Sequence, residues 1–123
     1  QYGCKIEVKT SAYRQVWKQR KPSSLVFDVA QKIDWENGSN APKRHADVYV
    51  FCVFNNEQDV ASPLDLEAWD FYVAATADMD VILGEQKTAT LAALKKRLPL
   101  RATGYTGLAM AIFDTYRSIG GME

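Results

Sequence analysis

The chain has 123 residues, 47% apolar and 24% charged, which suffices for one hydrophobic core and is short for two, so residues 1–123 are expected to form a single domain. Fifteen Lys and Arg against fifteen Asp and Glu leave no formal net charge; the molecule as a whole demands no polyanionic partner, and this composition excludes disorder, collagen and a tail-like basic arm. No apolar run approaches the ~18 residues of a membrane span and no charged-then-apolar leader opens the chain, which predicts a soluble, cytoplasmic protein with no membrane partner.

Taken in chain order, the first element is a strand at Cys4–Thr10, where Cys4, Ile6 and Val8 alternate with Lys5, Glu7 and Lys9. Ile6 and Val8 are expected to face the core. Ser11–Gln19 reads as a loop or short helix stopped at Lys21-Pro22, and Leu25–Ala30 as a second strand. The Asn37–Pro42 cluster predicts an exposed loop. Ala46–Phe54 is apolar on both faces, as a central strand covered on both sides should be. Trp69–Ala75 is a fourth strand, entered through the turn-like Ala61-Ser62-Pro63.

Beyond Thr76 the apolar period lengthens. Asp78–Leu83 predicts a short helix capped near Thr76 and broken at Gly84. Thr90–Leu98 predicts a helix with Thr90 as N-cap, Lys95, Lys96 and Arg97 at its C-terminal end and Pro99 as its stop. Thr106–Ile119 carries Leu108, Ile112, Tyr116 and Ile119 on one face and ends at Gly120-Gly121. Strands first and helices after them indicate an α+β or α/β sandwich around a mixed sheet.

Cys4 and Cys52 both lie in apolar stretches, which favours free thiols in a reducing compartment over a disulfide. Two distant cysteines and a single histidine build no zinc site, and His45 beside Lys43 and Arg44 reads as a surface residue. Charge is uneven along the chain: residues 1 to 21 hold Lys5, Lys9, Arg14, Lys18, Arg20 and Lys21 against Glu7 alone. Such an excess marks an anion-facing surface or a solvated face.

The chemistry candidate is Glu7-Val8-Lys9. Residues two apart on a strand point to one face, about 7 Å apart, so carboxylate and ammonium can act on one site. A carboxylate there can hold Mg²⁺, with the Val8 carbonyl as a further oxygen ligand. Lys9 can orient an attacking water and offset charge on a phosphodiester. The alternative is the solvated face of an edge strand with cross-strand ion pairs. The same spacing recurs at Glu85-Gln86-Lys87, after a turn glycine and without a strand pattern.

The run Ile6-Glu7-Val8-Lys9-Thr10-Ser11-Ala12-Tyr13, then Val16-Trp17-Lys18-Gln19, Pro22-Ser23 and Leu25-Val26-Phe27-Asp28-Val29, resembles the PD-(D/E)xK superfamily of restriction-endonuclease-like nucleases. Two later blocks, Arg44–Phe51 and Trp69–Val73 with Gln86-Lys87-Thr88, look like a subgroup of it. The resemblance covers roughly residues 3 to 98, and the ordered spacing of the blocks carries it more than the short motif does.

It implies an α/β fold, a restriction-endonuclease-like mixed β-sheet flanked by helices, and metal-dependent hydrolysis of DNA phosphodiesters. Carried over, Glu7 matches the metal-binding acid, Lys9 the catalytic lysine, and Gln15 a polar residue that some members add to the site. Mg²⁺ is the implied cofactor, with Mn²⁺ as a substitute. Arg14, Trp17, Lys18, Arg20 and Lys21 become a segment that holds the DNA backbone. Pairing with a second copy, common when two strands are cut, is a further expectation. The family's first acid lies on a strand before the (D/E)xK strand. Only Gln1–Ile6 precedes Glu7, and Gln1 is no initiator methionine, so that strand and the helix before it are expected upstream of this chain. Without them weak Mg²⁺ binding and little cleavage are expected, unless Asp28, on a strand beside the first, replaces the acid. The alternatives are a non-catalytic DNA-binding or protein-interaction module on the same fold, and a structural domain whose basic N-terminus docks an acidic protein.

Overall fold

A computed structural model describes residues 3–14, 25–33, 38, 41–56 and 68–118, with the side chains of 11–14, 55 and 56 excepted. Six strands and three α-helices lie within them: β1 Ile6–Arg14, β2 Val26–Asp28, β3 Val48–Asn56, β4 Trp69–Ala75, α1 Thr76–Ile82, β5 Thr88–Thr90, α2 Leu91–Arg97, β6 Arg101–Thr103 and α3 Leu108–Ser118. The main sheet has the order β1-β3-β4-β6. β1 runs parallel to β3, while β4 is antiparallel to both β3 and β6, so the sheet is mixed. β2 and β5 form a separate antiparallel pair.

β3 explains the layering. Its β-branched and aromatic residues suit a strand packed on both faces. Tyr49, Phe51 and Val53 join Leu25, Phe27 and Val29 around β2, Met79 and Leu83 at α1, and Leu91, Leu94 and Leu98 at α2 in one buried cluster. On the opposite face Val48, Val50 and Cys52 join Phe71 and Val73, against which Leu108, Ala111, Ile112 and Tyr116 of α3 pack. A mixed sheet flanked by helices results.

Several boundaries differ from expectation. β1 continues through Arg14, replacing the loop or helix expected from Ser11, because all nine of its residues pair with β3. Ile6 and Val8 do not face the core: they are 41% and 57% exposed. The parallel register sets them beside Val48 and Val50. That face is covered by α3 packed on Val48, Val50, Phe71 and Val73 further into the sheet, and among the described residues β1 is the outermost strand. Helix α1 starts directly at Thr76 with Ala75 at the N-cap and no side-chain cap; Thr76 lies inside the helix, its amide donating to the Asp47 carbonyl. Gly84 ends this element with φ +56°, a conformation that costs glycine little. Thr90 caps α2 as expected, its hydroxyl accepting from the Ala93 amide at 3.1 Å. Two strands were not expected at all: β5, whose last residue Thr90 was expected only as the N-cap of α2, and β6 after Pro99. The expected Ala61-Ser62-Pro63 turn, Ile119 and much of the Asn37–Pro42 loop lie outside the described residues.

Candidate active site on the edge strand

Alternation along β1 and the register with β3 set Glu7 opposite Tyr49 and Lys9 opposite Phe51. Both side chains therefore stand on the face that carries β2 and its cluster. Across this face Lys9 Nζ lies 3.2 Å from Glu7 Oε2. A second carboxylate reaches the same ammonium, with Asp28 Oδ2 at 3.9 Å. Lys9 is the more enclosed member, its side chain 19% exposed against 45% for Glu7 and 49% for Asp28.

Packing of the preceding residue explains how Asp28 arrives there. Phe27 is buried and meets the ring of Phe51 edge-on, with centroids 5.1 Å apart, and Phe51 is the register partner of Lys9. Leu25, Phe27 and Val29 point inward, so Val26 and Asp28 between them point out. Asp28 Oδ1 accepts from the Ala30 amide at 2.9 Å, a local turn of the kind aspartate favours, and Oδ2 accepts from Lys32 Nζ at 3.0 Å. The Ala30 bond foremost, then the Lys32 bond, lowers the Asp28 pKa below its ordinary 3.8, so the carboxylate is charged at neutral pH.

Arg44 fixes the far end of β2. Its guanidinium is fully enclosed and donates to the Val29 carbonyl (Nε, 2.9 Å), to Asp80 Oδ1 on α1 (Nη1, 2.9 Å) and to the Gln86 carbonyl (Nη2, 3.4 Å). A buried guanidinium is tolerated only with such partners. Tyr49, in the floor of this face, has its pKa raised, first by burial and then by the Glu7 charge. His45 Nε2 bonds the Lys32 carbonyl at 2.8 Å, and neighbouring Lys32 and Lys43 pair through their backbones.

The structure thus brings Glu7 and Lys9 together and adds Asp28. Val8, whose carbonyl is the further oxygen proposed for a metal, lies between them with its side chain on the opposite face. Arg14 belongs to β1, and its side chain is not among those described; Gln15, Trp17, Lys18, Arg20 and Lys21 lie outside the described residues. Among the described residues no three His, Cys, Asp or Glu side chains converge as a metal group. Among the described residues, the carboxylates that reach Lys9 on this face are those of Glu7 and Asp28. Neither Cys4 nor Cys52 is in a disulfide, and burial pushes Cys52 up to about 11, which leaves it unreactive at neutral pH.

Sequence reasoning missed Lys32 and Arg44. An aspartate at a strand end followed four residues later by lysine is a weak signal for the first. Arg44 offered none, since its partners lie 15, 36 and 42 residues away. Comparison of the chain with protein-family models, curated proteins and solved structures finds no match.

Proposed function

We propose that this chain is a restriction-endonuclease-like domain that hydrolyses DNA phosphodiesters with Mg²⁺, Glu7 and Lys9 forming its reactive pair. The observation that carries this reading is the Lys9 ammonium held 3.2 Å from Glu7 on a face flanked by a second carboxylate. Glu7 is a hard oxygen donor, and Mg²⁺ binds through one or two carboxylates while keeping several waters, so the donor set suits this ion better than a softer one. Glu7 and the Val8 carbonyl would hold it, and the ion would supply Lewis-acid charge at the scissile phosphate.

Lys9 contributes through its charge and its protons. An ammonium held in a partly enclosed place stabilises negative charge that grows on a phosphoryl oxygen and orients a water by hydrogen bonding. Tyr49 and Phe51 beneath the pair form a packed floor that keeps β1 from shifting, and placement of this kind is much of the catalytic effect.

A non-catalytic DNA-binding or protein-interaction module on the same fold is favoured by a different observation: the charges on this face already satisfy one another, Lys9 with Glu7 and Asp28 and Asp28 with Lys32. Mn²⁺ binding followed by electron paramagnetic resonance, together with cleavage of duplex DNA in Mg²⁺, both on the chain joined to its natural upstream segment, separates the two. The nuclease reading expects Glu7→Gln to weaken Mn²⁺ binding, and Lys9→Ala to abolish cleavage while leaving DNA affinity nearly intact. Salt-dependent DNA binding with no metal binding and no cleavage supports the module.

A further inference from the structure

We propose that Asp28 is a positioning residue of this site, one that fixes the Lys9 ammonium from β2 while Glu7 pairs with it on β1, and is itself held by Lys32. The inference rests on the reading of Lys9 as the reactive cation, and it adds a residue from a different element.

A lysine carries its charge on four rotatable bonds, and a single pairing with a half-exposed carboxylate on its own strand restrains it weakly. Glu7 is such a carboxylate. Asp28 differs in how its own backbone is anchored. Phe27 and Val29 on either side are buried in the core, the Phe27 ring meets Phe51 beside Lys9, and the Val29 carbonyl accepts from the enclosed Arg44 guanidinium. The Asp28 carboxylate is oriented as well, because Oδ1 accepts from the Ala30 amide while Oδ2 faces the two lysines. A short, doubly anchored side chain loses little entropy on holding a partner, so it is the better reference point for a mobile ammonium.

Lys32 completes the arrangement. It bonds the same oxygen at 3.0 Å, closer than Lys9 at 3.9 Å, and its own carbonyl bonds His45. The two cations therefore share one carboxylate oxygen, and Lys32 limits how closely Lys9 can approach it. Removing Lys32 should draw Lys9 toward Asp28; removing the Asp28 charge should free Lys9.

The decisive measurement is the mobility of the lysine ammonium groups, read as ¹⁵Nζ order parameters by NMR on the whole chain, with the Lys9 signal assigned through Lys9→Arg. Asp28→Asn retains an oxygen for the Ala30 amide and removes the charge. The expected result is a Lys9 order parameter that falls to the level of exposed Lys96, is restored in Asp28→Glu, and is preserved or raised in Lys32→Met. Circular dichroism of each variant confirms the fold. In parallel, cleavage of duplex DNA in Mg²⁺ by the chain joined to its natural upstream segment should show kcat reduced about 10- to 100-fold in Asp28→Asn with KM unchanged. A Lys9 signal equally ordered in native protein and Asp28→Asn overturns the proposal, whatever the cleavage result. Loss of order on substitution, in a protein that cleaves nothing even when joined to its natural upstream segment, supports the positioning role and removes the nuclease reading instead.

Discussion

Glu7-Val8-Lys9 and Glu85-Gln86-Lys87 share one spacing and come to opposite arrangements. On β1 the outer two residues meet at 3.2 Å, and the middle one turns away to solvent. After Gly84 the roles reverse. Glu85 and Lys87 are both exposed, with no ion pair between them among the described residues, while Gln86 is half-buried and bonded on several sides. Its amide nitrogen donates to the Thr88 carbonyl, its side-chain oxygen accepts from Arg97, and its backbone carbonyl accepts from Arg44. A Glu-x-Lys spacing becomes a paired site only where the backbone is extended, because only then do residues i and i+2 share a face.

Arg44 touches both regions, through the Val29 carbonyl beside Asp28 and through the Gln86 carbonyl, so its removal should erase the contrast. Arg44→Ala leaves Asp80 and two carbonyls without their donor, and urea unfolding should show a loss of about 3 kcal/mol or more. A loss below about 1 kcal/mol would mean that water replaces the guanidinium easily. Next in size is the reactive difference between the two lysines. On the proposed function, and with the natural upstream segment restored, Lys9→Ala should slow single-turnover cleavage in Mg²⁺ by roughly 100-fold or more, while Lys87→Ala leaves it unchanged. Equal effects would remove the edge strand from the chemistry.

The middle residues sharpen the comparison at lower amplitude. Gln86→Ala removes two side-chain bonds on a partly exposed surface and should cost about 1 kcal/mol in thermal or urea unfolding. A smaller pH-dependent effect belongs to Asp28. Its pKa is lower folded than unfolded, so its contribution is present above the ordinary value of 3.8 and is lost as pH falls through the folded value. Native protein and Asp28→Asn should therefore differ by under about 1 kcal/mol at pH 6, a half-exposed group being well screened, and the difference should vanish in acid. Smallest of all, Val8→Thr should change stability by no more than about 0.5 kcal/mol, since the side chain is 57% exposed. A large loss would show that something covers that face in solution.

Local pattern carried the long elements. β3 is legible because its run of β-branched and aromatic residues suits a strand packed on both faces, β4 because aromatic and apolar residues fill most of Trp69–Ala75, and α2 because a capping Thr90 and a terminal Pro99 bracket a helical period. The pairing of Glu7 with Lys9 also followed from periodicity alone. What periodicity could not reveal was which way β1 faces. Alternating Ile6, Glu7, Val8 and Lys9 ordinarily turn their apolar members inward, yet here the charged members face β2 and the apolar ones face solvent. A strand at the edge of a sheet is covered only as far as the flanking layers extend, and how far α3 extends depends on the whole fold.

Composition and alternation by themselves determined the mixed α/β class, most of the longer strands and helices, and a carboxylate and an ammonium sharing one strand face. Tertiary structure alone decided that Asp28 stands beside Lys9 and that Arg44 is enclosed. It also decided that three-residue strands form at Thr88–Thr90 and Arg101–Thr103. Short strands exist only because a neighbour offers a ladder of hydrogen bonds, and ion pairs between distant residues exist only because buried rings such as Phe27 and Phe51 bring their backbones together. Neither cause is local, so neither leaves a mark in the order of residues.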